Sequence, residues 1–121
     1  MKKTLAEQEE TLGVDHEETL ITVNEVGFFL YEQGNLKEAE VYYRRDLEGC
    51  KRVHGPDHPD TLASVNNMGA LLQAQGKHDL AEPFYRRTLE GRERTLGRDH
   101  PDTLISVDNL RVLLESRETE K

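Results

Sequence analysis

Apolar residues recur at helical spacing along two alternating kinds of segment, separated by polar joints that carry glycine. In the first kind, helix A, Leu20, Val23, Gly27 and Leu30 fall three or four residues apart, and Leu62, Val65, Gly69 and Leu72 repeat the series. That spacing gathers them on one helical face, and the two-residue alternation of a strand is absent. The second kind, helix B, buries Ala39, Tyr43 and Leu47, then Ala81, Tyr85 and Leu89, and is predicted over 36–53 and 78–96. Two copies of helix A open on Asp-His-Pro-Asp. Pro59 and Pro101 suit the first helical position, where a missing N–H costs no hydrogen bond. Asp60 and Asp102 then complement the dipole of the first turn. Gly34 and Gly76 are expected to end helix A as left-handed caps, and Gly55 and Gly97 punctuate the end of helix B. Pro83 lies near the first turn of its helix, where it removes at most one hydrogen bond.

The alternation has a fixed period. LGVDHEETL, HGPDHPDTL and LGRDHPDTL begin at Leu12, His54 and Leu96, in steps of 42 residues. Gly13, Gly55 and Gly97 superpose, as do Leu20, Leu62 and Leu104, and Val23, Val65 and Val107. Between the first two copies the match runs on through Asn24/Asn66, Ala39-Glu40/Ala81-Glu82 and Tyr43-Arg44-Arg45/Tyr85-Arg86-Arg87 to Gly49/Gly91. A period in this range predicts an all-α solenoid of stacked antiparallel helix pairs. Residues 1–12 align with the second half of a helix B, 13–54 and 55–96 form two complete repeats, and 97–121 supply a terminal helix A, about 101–117, and a tail. Two arrangements fit: a segment of a longer array, or a small protein capped by its terminal helices. Gly49 and Gly91, inside helix B, each cost about 1 kcal/mol against Ala. Close approach of the next helix A explains them, with a hinge as the alternative. Arg111 stands where the other copies have Gly27 and Gly69, tolerable where no helix B follows.

Composition narrows the function. Of 121 residues, 35% are hydrophobic and 33% charged, few apolar residues for a globule but enough for a thin solenoid. Their regular spacing argues against disorder. A formal net charge of −8 argues against nucleic acid and against a polybasic membrane anchor. No apolar run is long enough to span a bilayer, and the polar stretch after Met1-Lys2-Lys3 is no signal peptide. The single Cys50 forms no internal disulfide, so a reducing, cytoplasmic location is expected. No phosphate-binding loop is present, and no cofactor is expected.

The order and spacing of Val23, Val26-Gly27, Leu30, Ala39 and Tyr43 resemble the tetratricopeptide repeat. The 42-residue version, with LGxDHPDTL, VNNxG and AExxYRRxLE, is similar to the kinesin light chain type over nearly the whole chain. The resemblance implies a right-handed α-α superhelix whose helix A layer lines a concave groove for a protein or peptide partner. Two departures matter. The heptad segment by which a kinesin light chain binds its motor is not in this sequence. Nor is there a Lys or Arg at the groove positions Ile21, Asn24, Phe28, Tyr31 and Glu32, at Ala63, Asn66, Ala70, Gln73 and Ala74, or at Ile105, Asp108, Val112 and Glu115. Recognition of acidic peptides is therefore not expected.

Among these, Asn24, Asn66 and Asp108 recur once per repeat. An asparagine both donates to and accepts from a peptide backbone, so a row of them fits an extended ligand; bonds between neighbouring helices are the alternative. Phe28 and Tyr31, replaced by Ala70 and Gln73 in copy two, suggest an apolar pocket, or packing against the N-terminal partial helix. His16, His58 and His100 lie on different repeats, too far apart for a shared zinc, so capping is expected and metal is not. Cys50 and His54, four apart, lack the orienting group and oxyanion site of a nucleophile. The pairs Arg44-Arg45 and Arg86-Arg87 suit neighbouring glutamates, or a docking stripe on the convex face. The expected function is a non-enzymatic protein-interaction scaffold. The alternatives are a structural segment that self-associates through its terminal helices, and a fragment of a kinesin-light-chain-like cargo adaptor.

Overall fold

The computed structural model describes residues 2–120, with side chains for 4–117. The described residues form six helices in chain order: α1 (Lys2–Thr11), α2 (Glu17–Glu32), α3 (Leu36–His54), α4 (Pro59–Ala74), α5 (His78–Leu96) and α6 (Pro101–Glu120). Each packs on the next, so α2–α3 and α4–α5 are the two complete A–B pairs, preceded by a helix B fragment and followed by a helix A. α5 runs unbroken through Pro83, which sits in its second turn rather than its first.

The repeated joint explains where helix A begins. The imidazole Nδ1 atoms of His16, His58 and His100 accept from the backbone N–H groups of Glu18, Asp60 and Asp102, each at 3.1 Å. Each satisfies one of the donors a helix N-terminus leaves open. Pro59 occupies the first turn of α4 as expected. Helix A ends where Gly34 and Gly76 adopt φ of +84° and +78°, conformations that strain any residue with a Cβ.

Two glycine positions set the distance between helices. A Cβ on Gly27 or Gly69 would lie 2.7 or 2.9 Å from the ring of Tyr43 or Tyr85. One on Gly49 or Gly91 would meet Leu20 or Leu62 at 2.4 or 2.5 Å. Gly49 and Gly91 therefore admit helix A of their own repeat, not of the next one as the sequence suggested. Both glycines of a pair let A and B approach each other, at the expense of helix propensity.

The stripes expected in α2–α5 are buried, from Leu20 and Val23 to Ala81 and Tyr85, with Leu89 partly so. A further stripe on the helices A was not foreseen. Val26, Met68 and Leu110 are buried, as are Leu71 and Leu113 one turn on. All five belong to the hydrophobic core. Thr19, Thr61 and Thr103 are fully buried, with hydroxyls that have no hydrogen-bond partner among the described residues.

Array edges reverse the burial. Leu104 and Val107 match Leu20 and Val23, yet are 53% and 44% exposed, because no described helix follows α6. Phe29, before which no complete repeat is described, matches the buried Leu71 and Leu113 but is half exposed. On α1 the apolar Leu5 is buried in the core.

The arginine pairs divide between two tasks. Arg44 and Arg86 hold Glu40 and Glu82 one turn back on the same helix. Arg45 reaches Glu9 on α1, and Arg87 reaches Asp57 and the Pro56 carbonyl. Asp15–Arg52 and Asp57–Arg94 repeat a further joint-to-helix-B pair at 2.7 and 2.9 Å. Such exposed pairs contribute little individually, but they tie each joint to the following helix B.

Candidate functional site

The helices A lie side by side in one layer and are stitched by amides. Asn67 Nδ2 on α4 donates to Asn24 Oδ1 on α2 at 3.0 Å. One repeat on, Asn109 Nδ2 on α6 donates to Asn66 Oδ1 at 3.2 Å. Asn24 and Asn66 thus bond neighbouring helices, and each keeps its own amide N–H₂ for another acceptor. Asn67 and Asn109 were not singled out in the sequence, although the doublets Asn66-Asn67 and Asp108-Asn109 recur at the repeat period. Copy one has Glu25 at that position. Asp108 is exposed and accepts from Arg111 on its own helix, and Gln73 accepts from the Tyr85 hydroxyl at 2.8 Å.

The other predicted residues face outward along the same layer. Ile21, Phe28, Ile105 and Val112 are each roughly half exposed, Ala63 is exposed, and Ala70 and Tyr31 are partly buried. Phe28 is not covered by α1. It stacks near-parallel on Tyr31, with ring centroids 6.5 Å apart, and helps line an open hollow of about 560 Å³ with Asn24, Glu25, Phe29 and Glu32.

A second cavity, of about 220 Å³, opens between α2 and α4. Ile21, Asn24, Ala63 and Asn67 form its mouth, and Asp46, Cys50 and His54 of α3 form its floor and wall. Asp46 is buried, and that burial pushes its carboxyl above the usual carboxylate range. Cys50 Sγ donates to Asp46 Oδ1 at 3.5 Å rather than engaging His54. Burial, then the charge of Asp46, pushes the thiol up to about 12, the opposite of what a nucleophilic cysteine requires.

The histidines meet in a way the repeat did not show. His58 caps α4, and its ring stacks on His54 of α3, centroids 4.1 Å apart and 17° from parallel. With Asp60 they bring three metal-ligating atoms within 4.8 Å of one another. An ion must lie in the plane of each imidazole, about 2 Å from its nitrogen. Stacked, near-parallel rings offer no such common point. His58 Nδ1 is in addition engaged by the Asp60 N–H. The arrangement does not fit a zinc site without turning a ring. No helix among the described residues is long and apolar enough to cross a membrane.

Known proteins agree with this architecture. The tetratricopeptide repeat family model matches residues 18–93 and 61–117. Among solved structures, BtubC (BKLC) from P. vanneervenii superposes with a TM-score of 0.88 at 21% identity, over 97% of this chain and 47% of that one. A kinesin light chain-like protein of nearly identical TPR-like repeats from Podosopora anserina superposes at 0.81 with 22% identity, over 98% of this chain and 56% of that one. A point variant of it gives 0.83 at 21% identity, over the same shares. The chain thus spans about half the length of these structures. A comparison with curated proteins finds no match. The chain belongs to the tetratricopeptide repeat family, and its fold is that of the kinesin-light-chain-like repeats.

Proposed function

We propose that this chain is a protein-interaction scaffold that holds an extended peptide or a helix of a partner in the concave groove lined by α2, α4 and α6. One observation carries the reading: Ile21 and Phe28 on α2, and Ile105 and Val112 at the matching positions of α6, remain half exposed. Free Nδ2 groups of Asn24 and Asn66 lie beside them to take a ligand carbonyl. Apolar anchors and backbone hydrogen bonds then supply affinity. No residue in the groove forms the convergent nucleophile, base and oxyanion site that catalysis needs.

Selection from a displayed random-peptide library, followed by binding isotherms, tests this. Phe28→Ala is expected to weaken selected peptides by at least about 1 kcal/mol, roughly fivefold, while leaving the circular dichroism melt unchanged, because the ring is half exposed. Unchanged affinity would remove Phe28 from the site.

A second reading, self-association, is favoured by Leu104 and Val107 on α6 and Phe29 on α2, the apolar edges at opposite ends of the array. A head-to-tail contact covering both is heterologous and builds a ring or an open fibre. Scattering mass that rises with concentration, and falls back to the monomer in Leu104→Ser/Val107→Ser, is its expected signature; a constant monomer mass rejects it.

A further inference from the structure

The two A–B–A junctions are built alike but differ in the helix B residue that faces the next helix A. At the second junction Arg92 of α5 extends towards α6, where its Nη1 donates to Ser106 Oγ at 2.7 Å and to the Asp102 carbonyl at 3.2 Å. One period earlier the arginine is Cys50, while its acceptors are conserved between the copies as Ser64 and Asp60. The cysteine is too short to cross. Instead the first junction holds the 220 Å³ cavity, room for a side-chain head group rather than a single water. Ser64 is 99% buried (1% exposed) and lines that cavity beside the Asp46 carboxyl, whose charged form its hydroxyl favours.

Charge points the same way. At the floor, Asp46 replaces the Thr88 of the second junction, and Asp60 and Glu17 stand at the rim. No described Lys or Arg lines the cavity, and neither α2 nor α4 contains one. An opening with carboxylates at floor and rim and a hydroxyl on its wall matches a planar cation with several N–H donors.

We propose that the cavity between α2, α3 and α4 receives the guanidinium of an arginine side chain from a basic peptide lying in the groove. The inference rests on the groove reading and specifies its ligand. The bound guanidinium reproduces the contacts of Arg92, donating to Ser64 Oγ and the Asp60 carbonyl, and adds the Asp46 carboxylate. Ile21 and Asn24 at the mouth place it beside Phe28, so one ligand reaches both features.

The test is an amide-resolved NMR titration of the whole chain with N-acetyl-arginine methylamide, and with its neutral citrulline counterpart, up to about 50 mM. The arginine compound is expected to shift the amides around Ser64 and Asn67 saturably, and citrulline to leave them in place. Cys50→Arg, which copies the second junction, should fold and fill the cavity from within, abolishing the shifts. Asp46→Asn, nearly isosteric, should weaken binding at least roughly tenfold. Absence of arginine-dependent shifts, equal shifts with citrulline, or saturation of the same amides by zinc chloride instead, overturns the proposal. Library-selected peptides separate it from the groove reading. If they bind Cys50→Arg and Asp46→Asn at full strength but lose affinity in Phe28→Ala, the groove stands and the arginine pocket falls. If Phe28→Ala is neutral while the pocket variants lose binding, the pocket stands without the aromatic anchor.

Discussion

Tyr85→Ala is expected to lower the stability of the chain by about 3–5 kcal/mol, the cost of removing a buried aromatic ring. The ring is 4% exposed and lies against the face that Gly69 leaves open. Its hydroxyl donates to Gln73 across the A–B interface. Because the glycine has no side chain to move into the space, the cavity persists. Tyr85→Phe separates the two contributions: it keeps the ring and loses one hydrogen bond, and should cost only about 1 kcal/mol. Urea denaturation followed by circular dichroism measures both. Domains of this size hold only about 5–15 kcal/mol in total, so Tyr85→Ala should be partly unfolded at 37 °C. Equal effects of the two substitutions would show that the hydroxyl, not the ring, sets the packing.

Leu113→Ala is expected to cost about 2–5 kcal/mol, but locally. Leu113 is fully buried, yet among the described residues α6 is held by neighbours on one side, with Leu104 and Val107 facing outward. In a stack of nearest-neighbour interfaces, loss at an end unravels that end first. Hydrogen exchange should show the α6 amides losing protection while those of α3 and α4 keep theirs. Tyr85→Ala, in the interior of the stack, should instead lower protection on both sides of α5. Uniform loss along the whole chain in Leu113→Ala would mean that the six helices fold as one cooperative unit and not as a row.

Much of this was legible beforehand because repetition compares the chain with itself. A residue kept at steps of 42, such as His16, His58 and His100, declared a shared backbone task, and the capping bonds are that task. Spacings of three and four named the A–B face correctly. The same rule failed for the row containing Met68, Leu71 and Leu113, because one face of an amphipathic helix had already been assigned. A helix in the middle of a solenoid buries two faces, one on its partner and one on the previous repeat. Only the stacking shows the second.

The sequence named candidate positions but not the bonds they make. Asn24 and Asn66 were named for a ligand, yet each already accepts one bond from a neighbouring helix, from Asn67 or Asn109. Phe28 stood out because it departs from the repeat, and its ring is half exposed and stacked on Tyr31. Cys50 and His54 sit four residues apart on a helix. Even so, the thiol turns to Asp46 and the imidazole to His58, because α4 lies over α3 at that point.

The sequence by itself determined the local architecture: where each helix starts and stops, which face meets its partner, and that the chain is a row rather than a globule. It could do so because caps, glycine joints and apolar spacing act over a few residues and were written more than once. What tertiary structure alone decided is what happens between repeats. Leu20 and Leu104 occupy the same position, one sealed and one exposed, according to whether a helix B covers them. Cys50 and Arg92 share a position and differ in length, but that the short one borders a cavity and the long one reaches Ser106 is visible only once α4 and α6 are packed over them. Burial is a property of neighbours brought together across the chain, so identical residues at identical register acquire different chemistry from what is stacked upon them.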